Sequence, residues 1–318
     1  MSLRGAVAPA VWEPKLSRWS VGPGKTEEEK MNRAVAGIAG AIKASPKFSG
    51  RNVGVIATGS YANRTHTPSE SDVDVAVIYT DVFINSWDFV DPRASIDTAV
   101  REALMREAGV SPASYPDDEY RQDVEDALVA RFGRPAVKRG DIAFDIHENT
   151  YRVESDCSAA FEYRQWQRSS SGRLNHVPGI RITNDVGRHI LNFPKQQNAN
   201  GIAKHDRTHR RFKKMVRIVK NLRVEMQEAG IAAAEPIPSF LVESLVYRVP
   251  DANFGWATFH AELRSVLAWL FNNMMPGTDC SKWTEENEIK FLFHPSQKWT
   301  KEQAFAFVTA AWDYVGFE

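Results

Sequence analysis

Residues 52–79, NVGVIATGSYANRTHTPSESDVDVAVIY, decide how the fold is interpreted. The segments Asn52–Thr58 and Val73–Tyr79 are short, apolar and rich in β-branched residues, so both are predicted to be strands. Between them lie a Gly-Ser pair and a polar stretch that ends on Asp72 and Asp74. Side chains alternate along a strand, so a spacing of two places both carboxylates on one face. The pattern predicts a carboxylate pair at the beginning of a buried strand.

Two carboxylates held this close repel each other unless a divalent cation lies between them. Asp72 and Asp74 are therefore candidate ligands of two Mg²⁺ ions, for which Mn²⁺ could substitute, although a solvated strand end is the alternative. A third carboxylate on a neighbouring strand would complete a two-metal site. Asp156, at the end of the alternating run YRVESD, is the preferred candidate, and Asp145, in the strand-like segment AFDIH, is its competitor.

Gly59 and Ser60 directly follow the first predicted strand. Glycine lets backbone amides approach a phosphate closely, and a serine hydroxyl with neighbouring N–H groups can bind an anion. A Gly-Ser pair alone is typical of many turns. A strand, this pair, and then two spaced aspartates on the next strand form a narrower pattern, which indicates phosphate binding beside metal ligands.

The order of predicted elements favours an α+β fold with a core at 1–200 and a helical domain at 201–318. In the core we expect a long N-terminal helix, the strands above, a helical region over 95–132, and a hairpin formed by 143–147 and 151–156. Apolar residues then recur with a helical period, which predicts four helices at Asp206–Gln227, Ser239–Val249, Trp256–Asn273 and Lys301–Tyr314.

Composition narrows the class of protein. The 318 residues contain 40 lysines and arginines and 40 aspartates and glutamates, so nucleotide binding must come from local clusters of charge. The cysteines, Cys157 and Cys280, are too few for a zinc site built from thiolates and fit a reducing compartment. No run of about 18 apolar residues occurs, so we expect a cytoplasmic protein that does not insert in a membrane.

The Gly-Ser and paired-aspartate pattern resembles the nucleotidyltransferase superfamily of DNA polymerase β. Four later segments resemble bacterial cGAS/DncV-like nucleotidyltransferases, in particular their E-type clade: Tyr151–Arg164, Asn192–Gly201, Thr208–Arg223 and Pro238–Val246. The resemblance implies a polymerase-β-like core, which is a mixed sheet with helices, joined to a helical domain of the oligoadenylate-synthase type in one bilobal unit. It also places Asp156, rather than Asp145, at the third carboxylate.

A basic stripe lies on the segment THRRFKKMVRIVKNLR, residues 208–223, where Lys213, Arg217 and Lys220 share one helical face. A solvated charged face is the ordinary interpretation of such a stripe. A triphosphate site nevertheless needs cations to offset its charge. By resemblance, Lys220 corresponds to a lysine that contacts the triphosphate of the donor nucleotide.

The resemblance also suggests residues for the donor base. Ser239 corresponds to a second contact with the triphosphate, and Phe240 to a ring that stacks on the base, with a core phenylalanine as the alternative. Stacking tolerates any base, so selection needs hydrogen-bonding groups. Asn192 corresponds to an asparagine associated with uracil in E-type relatives. A turn residue is the alternative there, and another polar residue of 196–200 could serve instead.

The function implied by the resemblance is synthesis of a cyclic di- or trinucleotide second messenger from nucleoside triphosphates, such as ATP and UTP, with release of pyrophosphate, in antiphage (CBASS) signalling. A transferase that makes linear oligonucleotides without a template, and an inactive nucleotide-binding module, stay open. Relatives are often encoded beside an effector, and some are attached to targets by ubiquitin-like conjugation machinery. We expect a monomer without zinc and without a double-stranded DNA activator.

Overall fold

The computed structural model describes residues 9–68, 72–87, 98–109, 115–150 and 152–318. The helices are α1 (Pro9–Trp19), α2 (Lys25–Ala44), α3 (Gly59–Asn63), α4 (Thr98–Ala108), α5 (Asp117–Phe132), α6 (Pro194–Arg207), α7 (Phe212–Glu228), α8 (Ser239–Arg248), α9 (Phe259–Met274) and α10 (Lys301–Val315). The strands are β1 (Val53–Ala57), β2 (Val73–Trp87), β3 (Val137–Arg139), β4 (Phe144–Ile146), β5 (Ser155–Arg168), β6 (Leu174–Thr183) and β7 (His189–Asn192).

Two compact units are present within the described residues. The sheet unit comprises Thr26–Thr58 and Asp72–Lys195, and the helical unit comprises Met1–Lys25, Gly59–Ser71 and Gln196–Glu318. The Gly-Ser segment therefore groups with the helical unit, although it follows β1 directly in the chain. The division of the sequence at residues 200 and 201 stays a prediction.

The sheet unit is built on one mixed sheet in the order β1-β2-β5-β4-β3, with β6 pairing β5 and β7 pairing β6. Strands β2 and β5 run parallel, and the other pairs are antiparallel. Strand β5 occupies the centre, because β2 pairs with it along most of its length while β4 pairs with its beginning and β6 with the remainder.

The two faces of β2 have different chemistry. One face carries Val73, Val75 and Val77, all buried, and helix α5 packs on it through Tyr120, whose hydroxyl donates to the carbonyl of Val77 over 2.9 Å. The opposite face carries Asp74 and continues into an apolar cluster of Ala76, Ile78, Ala160, Ile180 and Ile182. The alternation predicted for residues 73–79 is confirmed, and the strand extends beyond Tyr79 to Trp87.

The helical unit packs α1 and α7–α10 around its own apolar core, which the buried stripe of α7 supplies together with residues of α1, α8, α9 and α10. Helix α1 was not predicted, because Pro14 lies inside it. Trp12 and Leu16 belong to this core, so burial of their side chains offsets the backbone hydrogen bond that proline removes.

Three predicted boundaries are wrong. The helix predicted from Asp206 is divided between α6 and α7. The helical backbone is interrupted at His209 and Arg210, which have φ of 49° and 63°. The hydroxyl of Thr208 accepts from the N–H of Phe212, the first residue of α7, over 3.0 Å. The polar segment after Asn192 is helix α6, which proline begins, and not a loop. The second strand of the predicted hairpin starts at Ser155 instead of residue 151, yet it pairs with β4 antiparallel as expected.

Among the described residues, the longest and most apolar helices are too short or too polar to span a lipid bilayer.

Candidate active site

Three aspartates lie side by side across three adjacent strands of the sheet unit. Asp74 on β2 is the register partner of Asp156 on β5, and Asp156 is also the partner of Asp145 on β4. Directly opposed residues of paired strands project from the same face of a sheet. Asp72 is two residues before Asp74 and follows the same alternation. The sheet therefore places four carboxylates on or beside one face.

The register separates the two candidates for the third carboxylate. Neighbouring strands lie roughly 4.8 Å apart, so Asp156 is one strand from Asp74, whereas Asp145 is two strands away, at about 10 Å. One cation binds carboxylate oxygens at about 2–2.5 Å, which requires ligands from adjacent positions. The geometry thus favours Asp156 over Asp145 as the partner of Asp74.

The carboxylates destabilise one another's charged forms. Burial, followed by the negative charges of Asp74 and Asp145 and then of Asp72, raises the pKa of Asp156 to about 6. Among the residues that the structure describes, no three His, Cys, Asp or Glu side chains lie close enough to form a ready metal site. The donor set suits a hard divalent cation, which would offset this repulsion and draw the carboxylates together.

Gly59 and Ser60 form the first turn of the short helix α3 in the helical unit. Gly59 has φ of 61°, which glycine adopts without steric cost. The carbonyl of Ser60 accepts hydrogen bonds from the N–H of Thr65 over 2.9 Å and from the Nδ1 side of His66 over 3.4 Å. The backbone that carries the Gly-Ser pair is therefore held by the residues that follow it.

The basic stripe on α7 is not a solvated face. Lys220 has no exposed surface, and its Nζ lies 3.2 Å from Oε2 of Glu243 and 3.5 Å from the hydroxyl of Thr65. Lys213 is also buried, and Arg217 donates to the carbonyls of Ser20 and Arg64 over 2.8 and 2.7 Å. A phosphate could contact Lys220 only if its ammonium left Glu243, so direct contact with the triphosphate stays a prediction.

Ser239 and Phe240 begin helix α8 after a proline. The ring of Phe240 is half-buried rather than buried in the core, and its centroid lies 6.0 Å from that of Trp299. A second aromatic ring therefore stands beside the residue predicted to stack on the donor base. Trp299 was missed by the sequence analysis, because its place next to Phe240 depends on the packing of a distant loop.

Asn192 is the last residue of β7, opposite Ile180, and its side chain is half-buried. Three of the four alternative residues in 196–200 have hydrogen-bond partners in the protein: Gln197 donates to Glu286 over 3.5 Å, Asn198 to the carbonyl of Ala62 over 2.8 Å, and Asn200 to the carbonyl of Glu286 over 2.9 Å. The fourth, Gln196, has a buried Oε1 that accepts no hydrogen bond from the described residues, so Gln196 stays an alternative to Asn192.

Comparison with known proteins now adds to this geometry. Residues 199–316 match the family model of the cGAS/DncV-like nucleotidyltransferase C-terminal helical domain, and residues 40–112 match that of the nucleotidyltransferase domain. A relative from Legionella pneumophila, the cyclic dipyrimidine nucleotide synthase CdnE, is 36% identical over 96% of this chain and 98% of its own length. This chain belongs to the cGAS/DncV-like nucleotidyltransferases. Its match to that relative extends over both units.

Two further members of the cGAS/DncV-like family show how its products vary. A cyclic dipurine nucleotide synthase from Elizabethkingia meningoseptica is 30% identical over 96% of this chain and 99% of its own length. The solved structure of the c-UMP-AMP synthase CdnE of Rhodothermus marinus with Apcpp and Upnpp has a TM-score of 0.78 and 29% identity, and it covers 95% of both chains.

These findings confirm the predicted family, the α+β fold with a helical domain, and the class of enzyme, which is a nucleotidyltransferase of the cyclic oligonucleotide synthase type. They also imply the use of nucleoside triphosphates and of a divalent cation by this fold.

Proposed function

We propose that this chain joins two nucleoside triphosphates, at least one of them UTP, into a cyclic dinucleotide with release of pyrophosphate. A cyclic trinucleotide is the alternative ring size. The observation that carries this proposal is the register of Asp74 and Asp156 on adjacent parallel strands in a member of a family of cyclic nucleotide synthases. The product would serve as a second messenger in antiphage defence, as the family implies.

Asp72, Asp74 and Asp156 are the residues that would hold two Mg²⁺ ions. Bound there, the cations would neutralise charge on the phosphates and lower the pKa of the attacking hydroxyl. Asp156 is the general base in this proposal, because its register position beside Asp74 places its carboxylate next to the proposed cations and the hydroxyl that they would activate. In each step a ribose hydroxyl oxygen bonds the α-phosphorus, the bond to the β-phosphate breaks, pyrophosphate leaves, and the hydroxyl proton passes to Asp156.

Further residues are assigned to the nucleotide itself. We assign Gly59, Ser60 and Ser239 to the phosphates of the donor nucleotide and the ring of Phe240 to its base. The half-buried Phe240 beside Trp299 supports a base platform. We assign Asn192 to the uracil edge, where its amide can donate one hydrogen bond and accept another.

The direct test incubates the purified protein with each pair of α-labelled nucleoside triphosphates and Mg²⁺, followed by phosphatase treatment and mass spectrometry. We expect a phosphatase-resistant product that contains uridine, and no product from the double variant Asp72→Ala, Asp74→Ala. A linear product with a free 3′ end would show an oligoadenylate-like transferase instead, and nucleotide binding without turnover would show an inactive module.

The assignment of Asn192 has its own test. In Asn192→Ala we expect the preference for UTP over ATP to fall by about tenfold, since a lost pair of base contacts costs roughly 1–3 kcal/mol. Phe240→Ala is the matched control, because loss of a stacking ring should raise KM for every donor nucleotide without changing their ranking. An unchanged preference in Asn192→Ala would reject the assignment.

A further inference from the structure

A buried polar cluster in the helical unit surrounds the carboxylate of Glu243 on α8. Oε1 accepts from the amide of Asn63 over 2.8 Å, and Oε2 accepts from the hydroxyl of Thr65 over 2.6 Å and from Nζ of Lys220 over 3.2 Å. A fourth group, the carboxyl of Glu286, is hydrogen-bonded to it. Glu243 and Glu286 are 2% and 1% exposed, so water does not solvate either carboxyl group.

Two buried lysines act on the two carboxyl groups of this cluster: Lys220 bonds Glu243, and Lys213 interacts with Glu286. Burial raises the pKa of Glu243, but Lys220 and the hydrogen bonds from Glu286, Thr65 and Asn63 outweigh it and lower the pKa overall. Burial and then the charge of Glu243 raise the pKa of Glu286 well above its usual value, against the smaller opposing effect of Lys213. The charged form of Glu243 is thus favoured and that of Glu286 is disfavoured, so Glu286 holds its proton the more tightly of the two carboxyl groups.

The cluster reaches the Gly-Ser segment through a short chain of bonds. Thr65 donates its hydroxyl to Glu243 and its N–H to the carbonyl of Ser60, the latter over 2.9 Å. Asn63, which also donates to Glu243, ends the helix that begins at Gly59. Between them Arg64 has φ of 55°, a conformation that a non-glycine residue keeps only where its surroundings hold it.

Helices α6 and α7 hold the same segment from other directions. Asn198 donates to the carbonyl of Ala62 over 2.8 Å, and Arg217 donates to the carbonyl of Arg64 over 2.7 Å. A helix of five residues cannot maintain its own conformation, so these anchors decide where Gly59 and Ser60 lie. Among Asn198, Arg217 and Glu243, Glu243 is the one that accepts hydrogen bonds from two side chains of this segment, those of Asn63 and Thr65.

We infer that Glu243 is a positioning residue for nucleotide binding: held by Lys220 and by the buried carboxyl group of Glu286, it anchors Asn63 and Thr65 and thereby places the Gly59-Ser60 backbone. This rests on the proposed function only in assigning Gly59 and Ser60 to the phosphates. Lys220 contributes by holding Glu243.

The test compares Glu243→Gln with two other buried-carboxyl variants. Glu286→Gln keeps a hydrogen-bond donor in place of the carboxylic acid. Glu262→Gln is the matched control, because Glu262 is fully buried in the same unit but bonds Arg211 and the N–H of Gly255. Thr65→Val, which removes only the hydroxyl donor, provides a second probe if Glu243→Gln fails to fold.

Two measurements are made on each variant: amide hydrogen exchange over residues 60–67, and the KM and kcat of product formation. For Glu243→Gln we expect exchange and KM to increase by on the order of tenfold, with kcat less affected, since one anchor loses its acceptor to an NH₂ group and the other keeps only an uncharged acceptor. Thr65→Val should show smaller changes in the same direction. Glu286→Gln and Glu262→Gln should stay within about twofold of the wild type in both measurements.

Unchanged exchange or KM in both Glu243→Gln and Thr65→Val would overturn the inference, as would equal effects in Glu262→Gln. An effect of Glu286→Gln as large as that of Glu243→Gln would overturn the protonated role of Glu286. If the wild type forms no cyclic product, the proposed function fails, and the exchange measurement still decides whether Glu243 anchors the segment.

Discussion

The acidic face of the sheet unit and the Glu243 cluster of the helical unit both bring carboxyl groups together, but only one of them compensates the charge. Asp156 has aspartates as register partners on both sides, and its pKa is raised to about 6 by burial and by their charges. Glu243 has a lysine, a threonine, an asparagine and a second buried acid around it, and its pKa is lowered.

This difference separates a site whose charge a bound cation would compensate from a site whose charge is compensated by groups of the protein. Uncompensated carboxylates on the sheet cost stability, and such strain is typical of positions kept for binding or catalysis. Compensated carboxyl groups in a closed network make the surrounding backbone rigid. We therefore expect substitutions on the sheet face to abolish catalysis while sparing stability, and substitutions in the cluster to lower stability and raise KM while affecting kcat less.

The largest expected effect is on catalysis. Asp156→Asn should lower the rate of product formation by at least about 10³-fold, because it removes both a cation ligand and the proposed base. Asp145→Asn is the matched control, since Asp145 is a strand further from Asp74. Rates are measured from labelled product with saturating nucleotide. A comparable loss in Asp145→Asn would reverse the assignment of the third carboxylate.

The next effect concerns the stability of the helical unit. Lys220→Met should lower the free energy of unfolding by about 3–5 kcal/mol, because it leaves the buried Glu243 without its cation. Urea denaturation measures this, and the addition of Glu243→Gln to Lys220→Met should recover part of the loss. Lys15→Met, which removes a partly exposed partner of Glu225, should cost no more than about 1 kcal/mol. Equal losses would show that the cluster is not compensated.

Gly201 tests how tightly the cluster is packed. A Cβ at this position would lie 2.2 Å from Oε1 of Glu286, so Gly201→Ala should destabilise the protein by about 1–3 kcal/mol. Gly40→Ala, also inside a helix but with no atom within 4 Å of the new Cβ, should instead stabilise by about 0.5–1 kcal/mol. Differential scanning calorimetry distinguishes the two signs. Stabilisation by both substitutions would mean that Glu286 moves freely.

The smallest effect is the pH dependence of stability without metal. Because folding raises the pKa of Asp156 from 3.8 to about 6, the native state binds more protons between these values, and stability falls as pH rises through them. Allowing for partial exposure, we expect a loss on the order of 1 kcal/mol between pH 4 and pH 7. Urea titrations in a chelator measure this slope, and Asp156→Asn should remove it. A divalent cation should restore stability near neutral pH.

Much of the core was predictable because its determinants are local. The apolar alternation of residues 53–57 and 73–79 predicted two strands, and the structure confirms both. The same period placed Asp72 and Asp74 on one face. Helical periodicity likewise predicted α8, α9 and α10 to within a few residues. Residues 165–192, which contain the end of β5 and all of β6 and β7, carried no such signal and were left unassigned.

The cluster was missed although one signal was present. Glu243 is the only charged residue in the apolar segment SFLVESLV, which lies on a buried helix. An acidic side chain is rarely fully buried unless it is paired. That signal could have shown that a cation must lie nearby. It could not have identified Lys220, because the stripe on α7 is compatible with solvent until the partner on α8 is known.

By itself the sequence determined which residues could do the chemistry: a Gly-Ser pair, two aspartates on one face, and a family of enzymes to which they belong. The tertiary structure decided which of them meet. Only strand register places Asp156 rather than Asp145 beside Asp74, and only packing between helices places Lys220 on Glu243. The physical reason is that periodicity is set by neighbours a few residues apart, whereas register and burial depend on groups that are distant in the chain.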